Sequence, residues 1–238
     1  MGFDARAQSA EKLHAQAISD YKTSQMQSAI ARLKSLEQDG IISSDLFYNL
    51  GTIYLKNDSI AQAVYYLEKA KRLQPSNSRI VNNYELALES TIDKMKPKPQ
   101  LFFNVWWWQA MTHYNTTVWA IFSLVFFWIL MLSIILQLRL REVKKWKTYT
   151  AMALSGTLCI VFLVFAYQYK KIETSNNTAI VMQAKVKGYE QPFTNAEEAF
   201  VVHEGCKLLI LETQADFAKV ALIDGREGWI ATQAFKRL

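Results

Sequence analysis

The sequence has few of the side chains that carry enzyme chemistry. It holds three histidines, His14, His113 and His203, and two cysteines, Cys159 and Cys206. It contains no CxxC pair, no HExxH motif and no glycine-rich phosphate loop, the signals of zinc and nucleotide sites. These absences argue against metal and nucleotide chemistry. We therefore expect a protein that is not an enzyme and that has no catalytic, metal-binding or cofactor-binding residues.

One histidine and one cysteine lie close together in the sequence. His203 and Cys206 are three residues apart, which could suggest a catalytic Cys–His pair. Such a pair needs a cleft and a third group that orients the base, and a small β domain offers little room for either. We interpret the two residues as a turn histidine and a half-buried cysteine. Cys159 lies inside an apolar run, so we do not expect it to pair with Cys206.

Positive charge is concentrated in one short segment. The net charge is +6, and residues 139–147 contain five basic side chains and one Glu. The sequence on either side of the central apolar region is close to neutral. A nucleic-acid surface would spread Lys and Arg over the face of a domain, so we expect no nucleic-acid partner.

Two uncharged apolar runs occupy the middle of the chain, at residues 117–138 and 149–167. Each is close to the ~20 residues that cross the hydrocarbon core as a helix, so we predict two transmembrane helices. The predicted loop between them, residues 139–148, is basic. Its topology-setting residues are Arg139, Arg141, Lys144, Lys145 and Lys147. Because short basic loops stay in the cytoplasm, both termini are expected in the periplasm of a bacterial inner-membrane protein.

An aromatic segment precedes the first run. Residues 96–116 begin with a Lys-Pro linker and continue to the consecutive Trp106, Trp107 and Trp108. Tryptophan favours the headgroup level of a bilayer. We predict a short amphipathic segment over residues 101–111 that contacts membrane lipid. An aromatic binding platform is the alternative.

The N-terminal part, residues 9–95, repeats with a period of 34 residues, as Ala29 and Ala63 illustrate. Its second unit closely resembles a tetratricopeptide repeat. The helix-packing positions of that repeat are Phe47, Leu50, Gly51, Tyr54, Ala63, Leu67, Ala70 and Pro75. The resemblance implies a short helical solenoid closed by a capping helix that starts at Ser78.

Repeats of this kind bind peptides or partner domains in a concave groove. The candidate groove residues are Asn49, Thr52, Ile53 and Lys56. An ordinary solvated surface is the equally weighted alternative.

A polar linker is expected at residues 170–177, followed by a small all-β domain over residues 178–238. Five or six short strands are predicted, the first over residues 179–187, with a hairpin turn at Asp224-Gly225. The order resembles a bacterial SH3-like domain through Gly225, Gly228 and Trp229. The resemblance implies peptide or cell-wall binding, or a structural role. We expect Trp229 to be partly buried rather than a ligand platform.

The fold class is thus a multidomain one: an α-helical solenoid, a two-helix transmembrane hairpin and a small SH3-like barrel.

Export of the N-terminal part needs a signal. Ala5-Arg6-Ala7 has the small-x-small form of a cleavage site, so we hypothesise an apolar segment upstream in the natural gene. A chance match is the alternative.

This order of modules resembles the repeat-containing BatE-type proteins of the bacterial aerotolerance (Bat) operon. The resemblance implies a scaffold for an envelope or oxidative-stress complex. It also implies membrane-anchored von Willebrand A-type proteins as partners and, indirectly, a MoxR-type AAA+ ATPase. The alternative is a sensor or adaptor that binds peptidoglycan peptides through the SH3-like domain.

Overall fold

The computed structural model describes residues 2–94, 102–139, 145–173 and 177–238. The chain folds as two units. One, here called the helix–sheet unit, joins residues 1–99 with residues 176–238, and the other, the hairpin unit, holds residues 100–175. In sequence, the hairpin unit therefore interrupts a single folded unit.

Five helices form the first part of the helix–sheet unit. They are α1 (Gly2–Lys22), α2 (Met26–Gln38), α3 (Ser44–Lys56), α4 (Ile60–Leu73) and α5 (Ser78–Glu89). The Ser43 hydroxyl accepts a hydrogen bond from the Leu46 N–H and caps α3, as side-chain oxygens commonly do at helix starts. Asp58 adopts a positive φ of 54° between α3 and α4. Pro75 follows α4, where it cannot continue the helix.

The helices pack in sequence order, α1 on α2, α3 on α4 and α4 on α5. Gly51 allows α3 and α4 to approach closely, because a Cβ at that position would lie 2.6 Å from Leu67 Cγ. Ala29 and Ala63, which are 34 residues apart, are both fully buried. The 34-residue period therefore places a small residue at an equivalent buried position in each of the two repeat units.

Seven short strands form the second part of the unit. They are β1 (Thr178–Val181), β2 (Lys185–Tyr189), β3 (Glu198–His203), β4 (Lys207–Gln214), β5 (Phe217–Leu222), β6 (Glu227–Ala231) and β7 (Phe235–Arg237). They pair antiparallel in the order β3-β2-β6-β5-β4-β1-β7. The mixed helical and β organisation is confirmed. The single first strand over residues 179–187 is wrong, because a bend at Gln183-Ala184 separates β1 from β2.

The hairpin unit consists of α6 (Phe102–Thr112), α7 (Thr116–Arg139) and α8 (Lys145–Glu173). Two stretches, Thr116–Arg139 and Trp146–Lys171, are long and apolar enough to cross a membrane. Only 17% of each apolar window is buried, so most of its side chains face outward. This is compatible with a two-span membrane protein.

Helix α8 is longer than the predicted span at both ends. Lys145 and Lys147 belong to the helix rather than to the basic loop, and the predicted polar linker is helical as far as Glu173. Lys, Gln and Glu are good helix formers, so a helix need not end where its apolar run ends. Arg141 and Lys144 of the basic loop, and residues 96–101 of the predicted linker and aromatic segment, lie outside the described residues.

Candidate functional site

The helices and the sheet meet at a contact region that we call the junction. Its apolar part includes Ile180 of β1, which is fully buried within the hydrophobic cluster of the helices. Met182 and Leu238 pack partly buried against the same cluster. At the β3–β4 turn, a Cβ on Gly205 would lie 2.8 Å from Thr91 Cγ2. The sheet therefore shares a core with the helices.

A buried ion pair lies at the centre of the junction. Glu68 of α4 has a side chain that is only 7% exposed, and its Oε1 is 2.6 Å from Lys207 Nζ of β4. Arg72 Nε lies 3.7 Å from the same oxygen. Arg72 also donates a hydrogen bond to the Thr178 hydroxyl. One carboxylate on the helices thus binds a lysine of the sheet and an arginine that itself contacts the sheet.

The environment of Glu68 favours its charged form. Burial alone raises the pKa of Glu68, but Lys207, a hydrogen bond from Tyr84 and the charge of Arg72 outweigh burial and lower the pKa to about 2. Burial and the adjacent carboxylate raise the pKa of Tyr84 well above its usual value. Tyr84 therefore stays a neutral donor, and Glu68 stays an anion at physiological pH.

A second polar contact closes the edge of the junction. The Asp93 carboxylate accepts a hydrogen bond from the His203 backbone N–H at 2.5 Å, and its other oxygen lies 3.0 Å from His203 Nδ1. Asp93 follows α5 and His203 ends β3. These two bonds fix the end of the helical part to the end of a strand.

Asp93, His203 and Cys206 are a combination that cysteine hydrolases also use. The Cys206 N–H donates to the His203 carbonyl at 3.3 Å, and the Cys206 side chain is buried. Burial, followed by the charges of Asp93 and Asp224, raises the pKa of the Cys206 thiol to about 12. Because the thiolate is the nucleophilic form, this geometry favours a structural role for the group.

The predicted groove residues lie on α3, where Asn49 and Thr52 are half-buried. Ile53 is 1% exposed in the helical core, so its assignment to the groove is wrong: it continues the apolar stripe of Leu50. The Asn49 amide nitrogen lies 3.0 Å from His14 Nε2. Thr52 accepts a hydrogen bond from Asn83 at 2.9 Å. Lys56 is exposed.

These contacts link α1, α3 and α5 across the face on which the groove is predicted. The packing residues Phe47, Leu50, Leu67, Ala63 and Ala70 are buried. Tyr54 and Pro75 are half-buried, and the Tyr54 ring stacks on the Tyr66 ring with centroids 5.6 Å apart.

The residues of the SH3-like signature lie in and next to the β5–β6 turn. Gly225 has a φ of 88°, a conformation that favours glycine. A Cβ on Gly228 would lie 2.8 Å from Phe200 Cε1. Trp229 is 9% exposed. This tryptophan is therefore a core residue and offers no open ring face to a ligand.

In the hairpin unit, one tryptophan of α6 packs against α8 and the other two are exposed. The Trp107 ring packs edge-on against Phe165 of α8, with centroids 4.7 Å apart. Trp106 and Trp108 are exposed, at 67% and 49%. In α7, Trp119 donates its indole N–H to the Met111 carbonyl at 2.9 Å. Helix α6 thus exposes Trp106 and Trp108 to its surroundings, together with Phe103.

The chain matches no protein-family profile and no curated protein. Among the described residues, no group of three His, Cys, Asp or Glu side chains could hold a metal ion. The features that bear on function are the junction, the face of α1, α3 and α5, and the apolar helices.

Sequence reasoning missed the polar residues of the junction. Glu68 lies on the buried stripe of α4, between Leu67 and Ala70. A charged side chain on a buried stripe needs a partner of opposite charge. The position of Glu68 could therefore have indicated a buried ion pair. Nothing local indicated that the partner would be Lys207, 139 residues away.

Proposed function

We propose that this protein is a membrane-anchored scaffold for protein–protein interaction, with its helical repeat and its SH3-like barrel on the same, periplasmic side of the membrane. The observation that carries the proposal is the junction. It joins residues that precede the two apolar helices to residues that follow them. Parts of one chain that pack together lie on one side of a membrane, so the junction supports an even number of crossings.

The junction also determines which surfaces stay open for partners. It uses α4 and the segment after α5, through Glu68 and Asp93. The face made by α1, α3 and α5 carries the inter-helix pairs His14–Asn49 and Thr52–Asn83. Because the sheet docks elsewhere, this face stays available, and concave helical-repeat faces bind peptides or domains. We assign partner binding to it.

Membrane attachment is assigned to the hairpin unit and to α6. The exposed Trp106 and Trp108 suit the headgroup region, where an aromatic ring meets apolar and polar surroundings together. The basic residues Arg139 and Lys147 flank the apolar helices, as expected for the cytoplasmic ends of two spans. Anionic lipid is the partner that these charges favour.

The test compares two matched double variants of the full-length, tagged protein purified from its native cells in mild detergent. Lys56→Glu with Asn82→Arg changes the face of α1, α3 and α5. Lys185→Glu with Gln233→Arg makes equivalent changes on the exposed sheet surface. Co-purifying proteins are quantified by mass spectrometry. The aerotolerance resemblance makes von Willebrand A-type membrane proteins and a MoxR-type AAA+ ATPase the first partners to look for.

We expect the helical-face variant to lose a partner by about tenfold or more, because a few central side chains dominate binding. The sheet variant should retain it. Equal recovery with both variants would argue against the assignment of partner binding to the helical face.

Cell-wall binding through the barrel is the second candidate, and Phe193 favours it, because this aromatic side chain is 49% exposed in the loop before β3. Burial of Trp229 counts against it. Sedimentation of the purified full-length protein with peptidoglycan decides between the two. Retention that is lost in Phe193→Ser would support the second candidate, and no retention would remove it.

A further inference from the structure

A pocket of about 270 Å³ opens beside the N-terminal end of α3. It is lined by Glu11, His14, Leu36, Ile41, Ser43, Asp45 and Leu46. These residues come from α1, α2, the α2–α3 connection and the first turn of α3. The pocket lies next to the face to which we assign partner binding, because His14 is within hydrogen-bond distance of Asn49.

The two carboxylates of the pocket occupy equivalent places in the repeat. Glu11 of α1 and Asp45 of α3 are 34 residues apart, and both line the same opening. The next equivalent place, on α5, holds Arg79. The acidic pair is therefore confined to the first two repeat units. Asp45 also lies in the first turn of its helix, where a negative charge is stabilised by the helix dipole.

The floor of the pocket differs from its rim. Leu36 and Leu46 are buried, at 2% and 1% exposure, and Ile41 is half-buried. The Ser43 hydroxyl already caps α3 through the Leu46 N–H. A ligand would thus meet apolar carbon at the bottom and carboxylate at the edge, together with the imidazole of His14.

This lining selects one class of ligand. Two carboxylates disfavour an anion. No three acidic, histidine or cysteine side chains among the described residues are close enough to hold a metal ion, so an inorganic cation lacks a ligand set. What remains is a cation carried on an apolar stem. Lysine has such a stem and buries it while its ammonium stays at the polar edge.

We propose that the pocket binds the alkylammonium group of a lysine side chain of a partner peptide. This inference rests on the proposed function, since it names the chemistry of a partner that lies along α1, α3 and α5. Glu11 and Asp45 pair with the ammonium, and Leu36, Ile41 and Leu46 contact the stem. His14 and Asn49 mark the path from the pocket onto the open face.

The experiment uses the full-length protein in detergent micelles with isotope-labelled histidine. The chain has only three histidines, His14, His113 and His203, so the ring signals are resolved by NMR and assigned with His14→Gln. The probe is N-acetyl-lysine methylamide, and N-acetyl-norleucine methylamide is the neutral matched probe. Glycinamide, which carries an α-ammonium group and no apolar stem, is the third probe. His203 at the junction and His113 in the hairpin unit report on the fold.

We expect N-acetyl-lysine methylamide to shift the His14 signal saturably, with the other two signals unchanged, and the norleucine probe to leave it in place. Glu11→Gln and Asp45→Asn should each weaken the binding of the lysine probe by about two- to fivefold, the range for exposed ion pairs. Glu85→Gln, an exposed acid of α5, should not. A larger response to glycinamide than to the lysine probe would overturn the proposal, because glycinamide has no apolar stem.

Equal shifts with the lysine and norleucine probes would overturn the proposal, and so would unchanged lysine binding in both acid variants. A His14 shift caused by calcium or magnesium chloride alone would assign the pocket to a metal instead. None of these results changes the co-purification outcome. A failure of this inference is therefore distinguishable from a failure of the scaffold proposal.

Discussion

The two units of this protein place the same residue types in opposite environments. In the helix–sheet unit, leucines such as Leu33 and Leu67 are fully buried. In the hairpin unit, Leu132 and Leu163 are 57% and 58% exposed, on helices with most of their apolar surface outward. Long exposed apolar surface is unstable in water. The difference is compatible with a hairpin unit that lies in a membrane and a helix–sheet unit that lies in water.

Polar side chains are used in the same way in both units. In the hairpin unit, Ser123 of α7 donates a hydrogen bond to the Cys159 carbonyl of α8 at 3.1 Å, so a polar group is satisfied between the helices. In the helix–sheet unit, the buried polar pair Glu68–Lys207 joins two parts of the fold. Hydrogen bonds and charges are thus used internally in each unit, and only the apolar surface distinguishes them.

The largest expected effect compares one substitution in the two units. Leu67→Ala creates a cavity in a closed core and should cost about 3–4 kcal/mol of unfolding free energy. Leu132→Ala removes an outward side chain and should cost less than about 0.5 kcal/mol. Urea-dependent proteolysis of the full-length protein in mild detergent measures both. Similar costs for the two variants would contradict the comparison.

Acid should weaken the helix–sheet unit selectively. The pKa of Glu68 is about 2 in the folded protein, below its ordinary value of 4.5. A lowered acid pKa stabilises the fold above the unfolded pKa, and that contribution is lost as pH falls through the folded pKa. About 3 kcal/mol should disappear between about pH 4.5 and about pH 2. Urea midpoints across this range should fall in the wild type and less steeply in Glu68→Gln.

The ion pair can also be removed one partner at a time. Lys207→Met leaves the buried Glu68 with Arg72 and Tyr84 only, and should cost about 2 kcal/mol, because an uncompensated buried charge is destabilising. Adding Glu68→Met should restore most of that loss, since well-packed apolar residues can replace a buried pair. Urea midpoints of the single and double variants complete the cycle. A double variant as unstable as the two losses combined would show that the residues act independently.

The smallest effect concerns two glycines. In Gly51→Ala the new Cβ would lie 2.6 Å from Leu67 Cγ, a close contact that outweighs the gain in helix propensity and should cost about 1 kcal/mol. In Gly156→Ala of α8 the nearest atom would be Leu130 Cδ2 at 3.9 Å, an ordinary contact. Thermal unfolding should detect the first change and not the second. A destabilised Gly156→Ala would indicate tighter packing between α7 and α8 than these distances give.

Local patterns in the sequence are enough to locate the helical region, the β region and the two apolar helices, although five or six strands are predicted and the structure has seven. Gly51 and Ala63 could be recognised as helix-contact residues, because small residues also lie 34 positions before them. The apolar helices follow from the length of the two runs and from their lack of charge. The ends of α8 were placed less well, since Lys145 and Glu173 are compatible with both helix and loop.

The junction could not be predicted, because it depends on contacts between distant parts of the chain. Lys207 is one of several lysines in the strands, and only the folded structure selects it as the partner of Glu68. The same limit applies to Asp93 and His203, which are 110 residues apart. Ile53 was misassigned because a position three residues after Leu50 can face either the core or the groove.

The central claim is that the two halves of the helix–sheet unit lie on one side of a membrane, and cysteine labelling in intact cells tests it most directly. In a Cys159→Ser, Cys206→Ser background, Ser78→Cys reports on the helices, Gln233→Cys on the sheet and Lys147→Cys on the start of α8, all at exposed positions. We expect an impermeant maleimide to label Ser78→Cys and Gln233→Cys from outside the inner membrane and to leave Lys147→Cys unlabelled. Labelling of Ser78→Cys and Gln233→Cys from opposite sides would contradict the account.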